Sequence, residues 1–595
     1  MADYSPPLDD IDFVLNNIAD LEALSKLEGF GHADPETVRN ALEEAGRFMA
    51  EVIAPTNRIG DQVGSIHDGD HSVTTPSGFK EAYAKFVESG WGAISYPQDF
   101  GGAGLPYLVG MAIQEFTSTA NLAFSICPML TMGAVESLIF HGSEEQQGTY
   151  LPKLSTGEWT GTMVLTEPGA GSDVGALRTR AEPNPDGSWA VTGTKIFISW
   201  GEHDLTENII HMVLARTPDS PPGTRGISLF LVPKFLVRPD GEVGERNSLQ
   251  AVSIEHKLGI HASPTCVMSF DGAAGYLIGE EHQGMRYMFT MMNSARIAVG
   301  LEGLAVSERA YQMALAYAKE RVQGRAIGQE KGEESPIIEH PDVRRMFMTM
   351  KAYIEAMRGL LYLNAEAFDL AHHHPDEAVK ETNRELLDLL TPISKAWCTD
   401  LGVELSSLGL QVFGGMGYIE ETGIAQLYRD ARISPIYEGT NGIQAMDLVG
   451  RKLPMRGGAA TRDLITQMTA LDAELAEAGE SLGTIRTGLA DGVRVLTEAV
   501  MWLAEHGPAN PNDALAGATP FLRLMGTVIG GWVMARSALA ATELLEKGEG
   551  DADFLMAKIA TARFYADQLL AEAAGLLPMV EAGANQLFEV PVSQL

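Results

Sequence analysis

Three observations predict an α+β multidomain fold. Apolar residues recur at helical spacing through the first 150 positions, strand-like runs and an Asp-Gly turn fill the stretch 160–280, and long apolar stripes return from Met285 onward. The expected order is an N-terminal helical domain (1–159), a β-domain (160–280), a second helical domain (281–455) and a helical C-terminal extension (456–595).

Asp34-Pro35-Glu36 is a helix start signal, and Val38, Ala41, Leu42, Ala45 and Phe48-Met49 follow at helical spacing, so a helix is predicted over 37–52. A glycine-rich break runs from Gly90-Trp91-Gly92 to Leu105-Pro106, and a second apolar helix is expected near 108–120. Strands are predicted over 162–166, 209–215, 226–232 and 265–270, with Asp186-Gly187 as a hairpin turn between Ala181 and Val191. Helices are predicted over 285–322, 342–372, 377–408 and 442–453, then 464–506, 514–547 and 552–577 after Gly457-Gly458. The Met285, Met288, Met291 and Met292 set reads as core filling or acyl-pocket lining.

Composition narrows the function classes. Against 43 Lys+Arg stand 79 Asp+Glu, a formal net charge of −36 over 595 residues. From Arg456 to the end there are 9 basic and 18 acidic residues, so the acidity is spread over the chain and not parked in a tail. Nucleic acid and anionic membrane are poor partners for such a surface. The late apolar run 524–535 is short for a membrane span and is bounded by Arg523 and Arg536. Cys127, Cys266 and Cys398 are far apart, without CxxC spacing, which fits a reducing cytoplasm. The terminal Ser593-Gln594-Leu595 lacks the lysine of a peroxisomal address, and His372-His373-His374 reads as an exposed loop rather than a metal site.

Three clusters are rich in groups able to do chemistry. Leu165-Thr166-Glu167-Pro168-Gly169-Ala170-Gly171-Ser172 is a glycine loop followed by a hairpin, not by a helix; it is either structural or a backbone cradle for a cofactor. In Lys195-Ile196-Phe197-Ile198-Ser199-Trp200, an aromatic and a hydroxyl two residues apart share one strand face. The third cluster runs from Gln411-Val412-Phe413-Gly414-Gly415 through Arg429-Asp430-Ala431-Arg432 to Tyr437-Glu438-Gly439-Thr440-Asn441. Glu438 there is either a poorly solvated base with raised pKa or a helix N-terminal acid favoured by the dipole.

In this order and with these separations, together with Gly90-Trp91 to Pro106 and Glu255-His256-Lys257-Leu258-Gly259, the clusters resemble the acyl-CoA dehydrogenase family over about residues 37–452. The length, the lead-in from Asp9 to Leu24 and the extra C-terminal helices resemble the long bacterial subgroup that includes 3-(methylthio)propanoyl-CoA dehydrogenases. The resemblance implies FAD-dependent α,β-dehydrogenation of an acyl-CoA to trans-2-enoyl-CoA, with Glu438 removing the α-proton and the β-hydride passing to flavin N5. It implies that the Glu438 backbone N–H and a flavin ribityl hydroxyl stabilise charge on the thioester oxygen. The alternative position for the base, just before Arg296, holds Ala295. Ser172, Arg296 and Gly439 match substrate-side positions. Met163, Leu165, Thr166, Ser172, Phe197, Ser199, Arg321, Gln411, Gly414, Gly415 and Thr440 match FAD-side positions, with Phe197 in place of the family's usual tryptophan. Arg321-Val322-Gln323-Gly324 is one residue shorter than the family pattern and lacks its phenylalanine, and Gly442 stands where many relatives have glutamine.

The resemblance further implies an acyl-CoA substrate, an electron-transferring flavoprotein as acceptor and a homo-oligomer, dimer or tetramer, in the cytoplasm, with no metal. An acyl-CoA oxidase and a DNA-binding flavoprotein of the same superfamily are the competing readings; the global acidity counts against the second. Because FAD and CoA are themselves anionic, a chain this acidic must hold them with local donors such as Arg296, Arg321 and loop N–H groups.

Overall fold

The computed structural model describes residues 4–328 and 334–595. The chain forms two compact units, residues 1–6 with 41–298 and residues 7–40 with 299–595. The boundary at 298/299 falls inside a helix that runs Gly284–Glu320.

In the first unit, seven strands form one sheet: β1 (Thr160–Val164), β2 (Arg180–Pro183), β3 (Trp189–Ser199), β4 (Ile209–Arg216), β5 (Ile227–Pro233), β6 (Leu249–Ile254) and β7 (Thr265–Leu277). β7 pairs with β3, β3 with β2, β2 with β4, β4 with β5, and β5 returns to β7, so the pairing closes on itself, in line with the β-barrel-like central domain that, with a C-terminal helical bundle, the resemblance implies. Every β4 residue from Ile209 to Ala215 and every β5 residue from Ile227 to Pro233 is buried, which is why those runs read as continuously apolar. Val213, Phe230, Val191, Met268 and Phe270 meet in the barrel core. The Asp186-Gly187 hairpin forms as expected, with Gly187 at φ +89 and Ala181 paired to Val191.

Helical expectations around the sheet hold with shifted ends. The first predicted helix runs Pro35–Phe48, passes through a π-turn at Met49–Ile53 and continues as Ala54–Val63. The second is Tyr107–Ala120. Cys127, Cys266 and Cys398 are buried free thiols.

The second unit is helical: Gly284–Glu320 contributes its later turns, followed by Pro341–His373, Glu377–Val412, Asn441–Asp447 and the C-terminal set. Sequence-based expectations need correction here at several points. The span 464–506 is two helices, Ala459–Glu477 and Gly483–His506, because Gly479 at φ +97 breaks the chain between them. The span 552–577 is likewise interrupted, by a π-turn at Tyr565–Leu569. His372 and His373 close the last turn of Pro341–His373 instead of lying in a loop. Two helices, Leu122–His141 and Ala518–Lys547, have the length and composition to cross a membrane, so shortness does not decide the matter for the second; both are largely buried as core helices.

Ala518–Lys547 is built into the bundle. A Cβ on Gly526 would lie 2.4 Å from the Trp397 ring, and one on Gly359 would lie 2.2 Å from a Val533 methyl. Arg523 reaches Glu404 at 2.6 Å and Glu572 at 3.1 Å, and Arg358 meets Glu308 at 2.9 Å in the interior. The extension therefore covers the helices that carry the candidate site. Gly526→Val should destabilise the protein by about 3 kcal/mol through overpacking against Trp397, read as a lowered midpoint in denaturant unfolding.

Candidate active site

The first unit supplies one group of the predicted residues. β3 and β7 pair regularly up to Cys266–Ile198 and again from Met268–Lys195, so Ile196 and Phe197 together oppose the single residue Val267. This β-bulge re-aims the strand. Lys195 and Ile198 point into the barrel, while Phe197 adopts φ +59 and leaves 59% of its surface exposed. A large aromatic held out of the core in a left-handed conformation is a costly arrangement for folding alone, and it suits a wall for a flat ring. Ser199 is on the same outward side.

Behind this wall, Lys195 is fully buried, and its Nζ donates to the Leu165 carbonyl and to Glu167 Oε1, both at 2.9 Å. Glu167 also accepts from Arg178 N at 2.7 Å, Thr179 N at 3.0 Å and Thr179 Oγ1 at 2.6 Å. Burial pushes the Lys195 ammonium down to about 8, against the pull of Glu167, while Lys195 and the donors around Glu167 outweigh burial and hold that carboxyl low. Thr166 O accepts from Ile196 N at 2.9 Å, so the glycine loop is stitched to the bulge. Leu165 and Thr166 are half-buried, Ser172 is exposed, Met163 is buried, and a Cβ on Gly169 or Gly171 would meet nothing within 4 Å. The loop leads into the short turn Val174–Ala176 and strand β2, not into a helix, which leaves the dinucleotide-fold reading without support.

Arg296 is only 5% exposed and lies over the Phe289 ring at 5.7 Å. Two residues before it, Ser294 donates its hydroxyl to the buried Glu136 carboxylate. Of the four methionines, Met288 and Met291 are fully buried and Met291 packs against Gly133, while Met285 and Met292 are half-buried. Glu136 was not anticipated. Burial pushes its carboxyl up to about 7 from an ordinary 4.5, against the Ser294 hydrogen bond. The folded protein then holds a proton that the unfolded chain releases between pH 4.5 and 7, so this group lowers stability as pH rises through that window. Glu136→Gln should shrink the fall in Tm between pH 5 and pH 7.5, measured by calorimetry.

The second unit holds the other predicted residues. Arg321 follows directly on Gly284–Glu320, is exposed, and donates to Gln323 Oε1 at 3.2 Å. Tyr317 stacks on Phe413 at 4.2 Å, which sets this helix end beside the turn Gly414–Tyr418. Gln411 is exposed. Gly414 sits at φ +59, and neither Gly414 nor Gly415 would bring a Cβ within 4 Å of anything, so the backbone of this turn is open to close approach by a ligand.

Glu438 is half-buried at φ +53, a left-handed conformation rare for a residue with a side chain, and Gly439 continues the turn at φ +80. It is not a helix N-terminal acid: the next helix is Asn441–Asp447, and its cap is Thr440, whose Oγ1 accepts from Ile443 N at 3.3 Å. The turn is tied down by residues that motif reading did not single out. The fully buried Gln444 donates to the Glu438 carbonyl at 3.0 Å. Asn441 receives the buried Lys395 ammonium at 2.8 Å and donates to Asp400 at 2.7 Å and Thr399 at 3.0 Å. Among the described residues no cluster of His, Cys, Asp or Glu could hold a metal.

Four family models cover nearly the whole chain. The acyl-CoA dehydrogenase N-terminal domain matches residues 35–158, the middle domain 162–273, the C-terminal domain 282–453, and an acetyl-CoA dehydrogenase C-terminal-like model 463–591. The chain is 48% identical over 569 residues to the 3-methylmercaptopropionyl-CoA dehydrogenase of Ruegeria pomeroyi, covering 96% of each chain. It is 35% identical over 561 residues to a butyryl-CoA dehydrogenase of Syntrophomonas wolfei, covering 92% of this chain and 91% of that one. In fold it is similar to the acyl-CoA dehydrogenase complexed with FAD from Bacillus anthracis, with TM-score 0.73 and 21% identity, over 92% of this chain and 88% of that one.

Proposed function

Since the chain belongs to the acyl-CoA dehydrogenase family, we propose that it oxidises 3-methylmercaptopropionyl-CoA to the corresponding trans-2-enoyl-CoA, with FAD as cofactor and Glu438 as the α-proton base. The observation that carries the site assignment is Glu438 itself. It is a carboxylate held in a strained left-handed turn, followed by Gly439 and fixed through its carbonyl by buried Gln444.

The residues fit FAD. Phe197 offers a flat apolar wall, Ser199 and Thr166 offer hydroxyls beside it, and the loop Leu165–Ser172 offers open backbone held in place by Lys195 and Glu167. Met163, buried in β1, stands just before that loop. Gln411, the Gly414-Gly415 turn, Thr440 and the Arg321 guanidinium supply donors suited to the sugar and diphosphate portion. When bound, FAD supplies the acceptor for the β-hydride. Glu438 takes the α-proton of the thioester, and its own backbone N–H is the donor to the thioester oxygen as charge gathers there. Buried Arg296 offsets the negative field that CoA meets on an acidic protein, with Ser172 and Gly439 on the substrate side.

The relative's name favours a short, sulfur-containing chain over long straight ones. An electron-transferring flavoprotein reoxidises the enzyme, which works as a cytoplasmic homo-oligomer, with Arg321 reaching the neighbouring subunit's cofactor. Steady-state turnover with such an acceptor tests this reading. The expected ranking places 3-methylmercaptopropionyl-CoA above butyryl-CoA and octanoyl-CoA in kcat/KM, with little hydrogen peroxide formed in air. A straight-chain thioester ahead of it, or stoichiometric peroxide, would refute the substrate or the dehydrogenase reading respectively.

A further inference from the structure

Glu302 lies on the helix Gly284–Glu320 and is 1% exposed. Its Oε2 accepts the hydroxyls of both Ser434, at 2.7 Å, and Tyr437. Its other oxygen, Oε1, is buried with no hydrogen-bond partner among the described residues. An ionised carboxylate leaves such an oxygen at high cost, whereas a neutral acid tolerates it. Ser434 is itself buried, and Tyr437 immediately precedes Glu438. The backbone between them is a chain of tight turns: Ile436 N and Tyr437 N both donate to Ile433 O, and Asn441 N donates to Pro435 O. The strained Glu438 turn is thus held from below by Gln444 and Asn441, and from the side by one acid 136 positions earlier in the chain.

We propose that Glu302 is a positioning residue for the base: its carboxyl takes the Ser434 and Tyr437 hydroxyls and so fixes the left-handed turn that presents Glu438. The proposal rests on Glu438 being the base. A φ near +50 in a residue with a side chain persists only where its surroundings over-determine it. Two hydroxyls converging on one buried carboxyl are such a constraint. The same arrangement couples the two acids electrostatically. The groups facing Glu302 are Tyr437, Ser434 and Glu438 from the turn and Lys395 from the helix Glu377–Val412. Burial pushes its carboxyl up to about 7, with Glu438 adding to the rise and Tyr437, Ser434 and Lys395 opposing it. Glu302 is therefore neutral on the acid side of that point. Above it, a second negative charge develops close to Glu438.

Two variants of the flavin-loaded enzyme test this. Glu302→Ala removes both acceptors and should slow thioester-driven flavin reduction by about 10²-fold, the scale of a misplaced catalytic group, with the thioester Kd within about threefold of wild type. Glu302→Gln keeps an acceptor for the hydroxyls but cannot ionise. It should retain the wild-type rate within about threefold at pH 6 and lose the inflection near pH 7 from the pH–rate profile. Amide hydrogen exchange gives a readout free of catalysis: residues 436–441 should exchange faster in Glu302→Ala and at the wild-type rate in Glu302→Gln. Wild-type exchange across this turn in Glu302→Ala would overturn the anchoring role, and superimposable pH profiles for wild type and Glu302→Gln would overturn the coupling. If no thioester reduces the wild-type flavin, the base assignment fails, while the exchange comparison still decides whether Glu302 holds the turn.

Discussion

Glu438→Gln is expected to slow thioester-driven flavin reduction by about 10²–10⁴-fold, the usual contribution of a positioned general base, while flavin content and thioester affinity change little. The amide is nearly isosteric with the acid and can sit in the same half-buried turn, so the Gln444 bond to the 438 carbonyl and the Thr440 cap should survive. Only the ability to accept the α-proton is lost. Stopped-flow absorbance separates the two effects, because a rate loss at unchanged Kd marks an interaction made only in the transition state. A comparable rate in the variant would place the base elsewhere.

Lys195→Met should be the most damaging change in the β-domain. The methionine fills similar volume but leaves Glu167 as a buried carboxylate without its counter-charge, a loss of about 3–5 kcal/mol. It also removes the donor to the Leu165 carbonyl, so the candidate cofactor loop loses its side-chain tie to β3 and keeps the backbone bond from Ile196 N to Thr166 O. The purified variant should carry less flavin and unfold at lower temperature. Adding Glu167→Gln to Lys195→Met should recover part of the stability, because the uncompensated charge goes with it, without restoring full flavin content. A Lys195→Met protein with wild-type Tm would mean that the pair contributes nothing beyond packing.

The sequence exposed the parts of this site whose chemistry is local. Glu438-Gly439, the Gly414-Gly415 turn and the Leu165–Ser172 loop stand out because acids, glycines and hydroxyls cluster within a few positions. The barrel strands were legible because β4 and β5 are buried on both faces and read as unbroken apolar runs. What stayed hidden depends on distant pairing. The bulge that turns Phe197 outward exists only in register with β7, some 70 residues later, and Phe197 alone reads as an ordinary strand aromatic. Glu302 sits in a helical stripe as one polar residue among many until Ser434 and Tyr437 fold against it. Lys195 and Lys395 are both fully buried, and their sequence neighbours do not signal it, since each finds its partner far along the chain. The break at Gly479 was missed for the opposite reason: helical periodicity continues on both sides and masks a single glycine in a conformation that ends the helix.

The acidic charge balance has a physical counterpart in the fold. A chain with net charge −36 keeps Arg296 out of solvent over an aromatic ring in one unit and leaves the Gly414-Gly415 backbone open in the other.

Anaerobic titration of the flavin-loaded protein with 3-methylmercaptopropionyl-CoA decides whether the protein dehydrogenates this thioester through Glu438. The oxidised flavin's visible absorbance should be lost stoichiometrically in the wild type and almost fully retained in Glu438→Gln on the same timescale. A wild-type flavin that stays oxidised with this thioester and with short straight-chain thioesters would contradict it.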